Sequence, residues 1–329
     1  MKLAVHLHHP SREEAALSLL RDRLAPEISL TIGPGLPRPA AYDILVAGRP
    51  RQEHLTASPQ LRAVVVPWAG IPESTRDLMQ QFPGIALHNL HHNALPVAEH
   101  VIALLLAAAK FVVPMDRSLR HHDWTPRYRP NPSLLLEGNT ALVLGYGAIG
   151  RKVAQLCLGL GLEVLAVRRR LEAGAPRPAN GIRLAPIADL HRLLPRANAL
   201  LICLPHTPET DGLIAAGELA LLPPTAILVN VGRGPIVDEA ALYHALRRGE
   251  LYAAGLDVWY NYPPDEQARP HTPPSHLPFH ELDNVVMSPH RAGGSTGTER
   301  LRMIHLARLL NAAARGEPMP NRVDLQAGY

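Results

Sequence analysis

Residues 140–150 read TALVLGYGAIG, an apolar run that stops at three glycines, Gly145, Gly147 and Gly150. The next residues, RKVAQLCLGLG, carry helical apolar spacing. A strand, a turn in G-x-G-x-x-G spacing and a helix are therefore expected. In such a turn the first glycine permits the sharp bend. The second lets a pyrophosphate approach the backbone, and the third lets helix and strand pack closely. The start of the helix offers free N–H groups and the positive end of a dipole. The turn residues Gly145, Tyr146, Gly147, Ala148, Ile149 and Gly150 are thus read as a dinucleotide-phosphate site. The tip of the next strand selects the dinucleotide. An acid there would hold a ribose 2′-hydroxyl, but this chain has Arg168, Arg169 and Arg170. Arginine pairs with a 2′-phosphate, so NADP(H) is expected over NAD(H). The competing reading is a solvated basic strand end in a chain that takes NAD.

Outward from this turn, short apolar runs alternate with helix-like stretches, the pattern of an α/β protein with parallel sheets. Strands are expected at 2–8, 43–48 and 62–67 in a first series. In a second series they are expected at 140–150, 163–170, 199–205, 226–232, 253–259 and 284–289. A helix capped by Ser11 separates the first two strands. A long, nearly all-apolar helix is expected from Pro96 to Val113, buried between domains. Residues 114–132 and the proline-rich 263–278 read as irregular. A last helix over 295–315 is expected to pack back on the first series. That arrangement gives a discontinuous substrate domain, 1–98 with 293–329, and a dinucleotide-binding domain, 99–292.

The chain has 329 residues, 47% of them hydrophobic, enough for two folded cores. Its net charge is +4, carried almost wholly by arginines, since Lys2, Lys110 and Lys152 are the only lysines. The arginines are scattered, without the basic stripe and aromatic platforms of a nucleic-acid groove, and suit small anions instead. The longest apolar run, Val101–Val113, is interrupted by Lys110 and is too short to span a bilayer. Cys157 and Cys203 lie in apolar segments, without metal or redox spacing. Together with the lack of a signal-peptide pattern they point to the cytoplasm.

Histidine pairs recur at His8/His9, His91/His92 and His121/His122. The spacing in HNLHHN (88–93) is open to zinc, but no further Cys, His or Asp completes a ligand set, so no metal is expected. Trp68, Tyr128, Trp259 and Tyr260 fit a pocket lining and buried packing equally. His290, in SPHRAGGS after an apolar run, is a candidate general acid/base.

In combination, VPWAGI (66–71), VAEH (97–100), LGYGAIGRKVA (144–154), CLPHTPETDGLI (203–214), NVGRGPIVDEAALYHAL (230–246), GLDVW (255–259) and SPHRAGG (288–294) resemble the D-isomer-specific 2-hydroxyacid dehydrogenase family. The resemblance implies a Rossmann-type NAD(P)-binding domain inserted into a flavodoxin-like substrate domain. The cofactor and a small anionic 2-oxo or 2-hydroxy acid would bind in the cleft between them. It implies that Arg233 clamps the substrate carboxylate and polarises its 2-oxo group. His290 would give a proton to the carbonyl oxygen. Backbone N–H groups of Ala69 and Gly70 would cradle the carboxylate. Leu204, Pro205, Thr207, Val231 and Gly232 would line the cofactor groove, and Asp257 would sit near the nicotinamide carboxamide. A homodimer formed through the cofactor domain, with helix 97–113 taking part, is also implied.

One position departs from the family. A glutamate normally follows the D-V-x motif, precedes a proline and pairs with the histidine. Counting forward from Asp257 to Pro263, that slot holds Tyr262; counting back from His290 points to Glu266. A phenol is neutral at pH 7 and does not stabilise an imidazolium as a carboxylate does. His290 is therefore expected to titrate lower than in typical relatives. Two rival readings follow: a dehydrogenase of another small anion such as formate or phosphite, and a catalytically weak nucleotide-sensing protein.

Overall fold

The computed structural model describes residues 2–8, 13–169 and 181–325; Ser11, His9 and Arg170 lie outside them. The chain divides into two compact units, Met1–Asn93 with Gly294–Tyr329, and Ala94–Gly293.

The first unit holds β1 (Leu3–Leu7), β2 (Ile28–Ile32), β3 (Ile44–Val46), β4 (Ala63–Val66) and β5 (Ala86–Asn89) in one parallel sheet, ordered β2-β1-β3-β4-β5. This is the doubly wound flavodoxin-like order. Its helices are α1 (Glu14–Arg23), α2 (Gln52–Thr56) and α3 (Glu73–Gln80), joined by a long helix from the C-terminal segment, Thr298–Ala314. Strand alternation divides the core between the two faces. Ile44 and Val46 pack with Leu17 and Leu20 of α1 and with Leu306 and Leu310 of the C-terminal helix. Leu45 turns to the opposite face, with Leu55 of α2 and Met79 of α3.

The second unit opens with α4 (Ala94–Ala109) and α5 (Val112–Arg120). Its sheet comprises β6 (Thr140–Leu144), β7 (Glu163–Arg168), β8 (Ile182–Pro186), β9 (Ala199–Ile202), β10 (Ile227–Asn230), β11 (Ala253–Leu256) and β12 (Val285–Met287). The order is β12-β11-β10-β9-β6-β7-β8, all parallel: a Rossmann order with one added strand. Helices α6 (Ala148–Gly159), α7 (Leu190–Leu193), α8 (Ala216–Ala220) and α9 (Glu239–Arg247) complete it, and the C-terminal helix of the first unit is α10.

Helix α4 is more buried than an ordinary surface helix because it lies directly on this sheet. A Cβ on Gly255 of β11 would stand 2.8 Å from Leu104 Cβ, so glycine is what lets the helix settle there. The helix falls within the second unit. It ends earlier than the sequence pattern suggests. Phe111 takes a left-handed conformation, φ 51°, and the chain restarts as α5. Pro114 falls in the first turn of α5, where its missing N–H is not needed. Part of the segment expected to be irregular is thus helical.

The sequence reading passes over three strands, β2, β5 and β8. All three are sheet edges. β2 alternates between half-buried and exposed residues, so it lacks the continuous apolar run that marks a central parallel strand. Among the described residues no single helix is long and apolar enough to cross a membrane.

Candidate functional site

In the second unit the chain leaves β6 for β7 and β8 on one side, then returns to β9 on the other. The order therefore reverses between β6 and β9, the place where open α/β sheets form a crevice at their strand ends. The glycine turn lies there. Gly145 has φ +97°, and a Cβ on it would stand 2.8 Å from Cys203 O. A Cβ on Gly150 would meet Gly145 O at 1.8 Å. These two glycines are needed for the bend and for close packing. Gly147 differs: a Cβ there would meet nothing within 4 Å, so the backbone at this point faces open space. It caps α6, whose first N–H groups have no acceptors within the helix. The N–H groups of Gly145 and Tyr146 both donate to Val167 O at 3.1 Å. Three glycines with three different tasks leave a cradle that fits a dinucleotide phosphate.

Neighbouring strand ends extend the row. Leu204 O would stand 2.6 Å from a Cβ on Gly232, so the β9 and β10 loops meet at a glycine. Val231 is buried; Pro205 is exposed and its O accepts from Thr210 Oγ1 at 2.8 Å. Thr207 is buried, and its N–H donates to Thr210 Oγ1 at 2.8 Å. Arg168 and Arg169 are exposed at the end of β7. A hydrogen bond from Thr207 and the charge of Arg169 help hold the Glu209 carboxyl below its ordinary range, so the β9 loop lies beside Arg169.

The loop after β10 presents Arg233. Asn230, buried at the strand end, donates from Nδ2 to Arg233 O at 2.9 Å and accepts from Gly232 N at 3.0 Å. A Cβ on Gly234 would meet Trp259 O at 2.4 Å, which presses the loop against the end of β11. The guanidinium is exposed, with Nη1 donating to Gly232 O at 2.7 Å. Sequence reasoning passed over Asn230, although an asparagine bordering a glycine turn is a recognised brace.

His290 follows β12 with φ 56°, a left-handed residue that is not glycine. Asp257 stabilises this turn. Its carboxylate accepts from Ser288 Oγ at 2.5 Å, Arg291 N at 2.8 Å and Ala292 N at 3.0 Å. Asp257 is buried, and both its oxygens accept from the turn that carries His290. Burial and the charge of Arg233 push the His290 imidazole below its ordinary pKa, and Asp257 pulls it back up.

Tyr262 is the side chain beside His290. Their ring centroids are 5.5 Å apart, tilted by 59°. The phenol oxygen accepts from Trp259 N at 3.2 Å, so the tyrosine offers the imidazole its ring. Burial raises the Tyr262 pKa, which keeps it neutral. Glu266 is exposed and pairs with Arg269 at 2.5 Å. The forward count from Asp257 therefore identifies the neighbour of His290.

In the first unit, Ala69 and Gly70 follow β4. Ala69 O accepts from the buried Asn89 Nδ2 at 2.7 Å, which ties the loop to the end of β5. Trp68 packs against Gly48, where any Cβ would overlap its ring, so Trp68 reads as packing. Trp259 is likewise buried, and Tyr128 is 81% exposed. Burial pushes the thiols of Cys157 and Cys203 up to about 12, so neither is a nucleophile at neutral pH. Among the described residues no group of three or more His, Cys, Asp or Glu is placed to hold a metal.

Residues 102–292 match the family model for the D-isomer specific 2-hydroxyacid dehydrogenase NAD-binding domain. The chain is 36% identical over 234 residues to D-3-phosphoglycerate dehydrogenase of Archaeoglobus fulgidus, covering 71% of this chain and 41% of that one. It is 38% identical over 234 residues to glyoxylate reductase of Aeropyrum pernix, covering 69% and 65%. The chain spans about half, or less, of the length of the phosphoglycerate dehydrogenases it matches. A D-isomer specific 2-hydroxyacid dehydrogenase from Xanthobacter autotrophicus, solved with NADPH and MES, has the same fold. Its TM-score is 0.79 at 24% identity, with 100% of each chain covered.

Proposed function

This chain belongs to the D-isomer specific 2-hydroxyacid dehydrogenase family, and from that premise we propose that it reduces a small 2-oxo acid to a D-2-hydroxy acid, or catalyses the reverse, with NADP(H) preferred. The observation that carries the proposal is the grouping of Arg233 and His290, near enough for the guanidinium to depress the imidazole pKa, in the same unit as a fitting glycine cradle. The nicotinamide cofactor, when bound, supplies the hydride. Arg233, always charged and forked, binds the substrate carboxylate and polarises the 2-oxo group. His290 holds the proton that reaches the carbonyl oxygen. Ala69 and Gly70 offer backbone N–H groups to the carboxylate. Gly145–Gly150 and the start of α6 bind the pyrophosphate, while Leu204, Pro205, Thr207, Val231 and Gly232 line the dinucleotide.

The NADP preference rests on Arg168 and Arg169, two exposed cations where a ribose-binding acid would otherwise stand. The test is oxidation of NADPH and NADH with glyoxylate, hydroxypyruvate and larger 2-oxo acids. NADPH is the expected donor. Replacing both arginines with alanine is expected to lower kcat/KM for NADPH about 10- to 100-fold, the worth of a charge-assisted hydrogen bond or two, with little change for NADH. Equal use of both cofactors by the wild type would remove the arginine argument and keep the enzyme.

The glycine cradle gives a second test. Gly150→Ala is expected to lower stability by about 1–3 kcal/mol through overpacking and to weaken cofactor binding. Gly147→Ala is expected to melt like the wild type yet bind cofactor poorly, because its methyl group occupies the path of the pyrophosphate. Thermal melts and a cofactor fluorescence titration separate the two.

Tyr262 favours a second reading, a dehydrogenase of a small anion such as formate, whose oxidation to CO2 needs no proton on a carbonyl oxygen. Formate therefore belongs in the substrate panel. We also propose a homodimer. Leu95, Val112, Leu119, Trp124, Tyr128 and Leu135 are exposed apolar residues of the second unit and supply the contact surface. Leu95 stands in the first turn of α4 and Val112 at the start of α5, so the long apolar segment takes part in that surface. Residence in the cytoplasm is part of the same proposal, supported by two free cysteines.

A further inference from the structure

The turn that carries His290 is fixed from a third element. His100, on α4, places Nε2 at 2.9 Å from Ser288 Oγ and at 3.4 Å from Asp257 Oδ1. Ser288 has one hydroxyl proton, and the 2.5 Å contact to Asp257 Oδ1 takes it, because a carboxylate only accepts. The Ser288 oxygen is therefore the acceptor toward His100, and His100 carries its proton on Nε2. The direction of the chain is set: His100 Nε2–H to Ser288 Oγ–H to Asp257. Asp257 in turn takes the N–H groups of Arg291 and Ala292, the two residues after His290. Ser288 is held at its backbone as well, donating from N to Leu256 O at 2.8 Å and accepting at O from Trp259 Nε1 at 2.8 Å. The left-handed His290 is thus bracketed by Ser288 before it and by Asp257-bound amides after it. A β-carbon residue adopts this backbone only where the surroundings over-determine it.

We propose that His100 is a positioning residue for His290: its Nε2–H, acting through Ser288 and Asp257, holds the left-handed turn that aims the imidazole. The catalytic meaning of this rests on His290 being the proton donor; the structural claim does not. His100 is half-buried and nearly two turns into α4, so a glutamine can replace its donor without disturbing the helix. Chains of hydrogen bonds in low dielectric are worth more than their separate members, which is why a residue two bonds from the turn can matter to it.

The experiment is amide hydrogen exchange at Arg291 and Ala292, read by NMR, together with kcat and the NADPH dissociation constant. In His100→Ala both amides are expected to exchange about tenfold faster. For a displaced imidazole, kcat is expected to fall about tenfold or more while NADPH affinity stays within about twofold. His100→Gln is expected to restore the exchange rates and kcat. Should His100→Ala fold poorly, Ser288→Ala breaks the same chain, and adding H100Q to it is expected to change nothing further. Wild-type exchange at Arg291 and Ala292 in His100→Ala, or failure of glutamine to restore it, would overturn the proposal. If the wild type turns over no 2-oxo acid, the proposed activity fails, while the exchange rates still decide the role of His100.

Discussion

His290→Ala is expected to lower kcat for 2-oxo acid reduction by about 10²- to 10⁴-fold, the usual worth of a placed general acid, with NADPH binding unchanged. The size of the loss follows from the site. Hydride arriving at the carbonyl carbon leaves charge on the oxygen, and His290 is the titratable group held beside Arg233 in a fixed turn. Arg233 does not replace it, because a guanidinium stabilises the oxyanion without releasing a proton. The pH dependence follows from the same neighbours. Burial and Arg233 lower the His290 pKa, and the neutral ring of Tyr262 brings no negative charge to offset them. A carboxylate in that place would raise the imidazole pKa by 1–3 units on the usual scale of close opposite charges, roughly. Reduction requires the protonated imidazole, so activity is present below the His290 pKa and lost above it. The midpoint is expected under the ordinary 6.5.

Acid is expected to destabilise the first unit well before its carboxylates titrate. His92 is buried, and burial, with the charges of Arg302 and His305, lowers its pKa from 6.5 to about 4. Above pH 6.5 the histidine is neutral both folded and unfolded, and contributes no pH dependence. Below 6.5 the unfolded chain takes a proton that the folded one refuses, so stability falls until pH reaches about 4. At about 1.4 kcal/mol per pKa unit, the loss is about 3 kcal/mol from this residue. Burial lowers His6 and His88 in the same direction. Denaturant melts between pH 7.5 and pH 4 check this: His92→Leu is expected to flatten the decline, and an equal decline in that variant would contradict the assignment.

Central strands were readable in the sequence because parallel strands buried on both faces are continuous apolar runs, as in AVVV of β4 and ILVN of β10. Edge strands such as ISLTI carry no such signal. The glycine cradle was readable because its spacing is local. What escaped notice depends on contacts across the sheet. Asp257 lies 31 residues before Ser288, and His100 lies 188 residues before it. No local pattern joins them. Nor did the sequence reveal that the Tyr262 hydroxyl would engage the Trp259 amide and turn its ring toward His290. The buried Asn230 brace was visible as a residue, yet its task appears only once the loop is folded.

In the proposed reaction His290 transfers the proton with an aromatic ring where a carboxylate would normally stand. The most direct test is kcat/KM for glyoxylate reduction by NADPH across pH 5 to 9, for the wild type and for Tyr262→Glu. The expected result is a wild-type midpoint below 6.5 that moves upward in the glutamate variant. A wild-type midpoint above 7 that Tyr262→Glu leaves in place would contradict it.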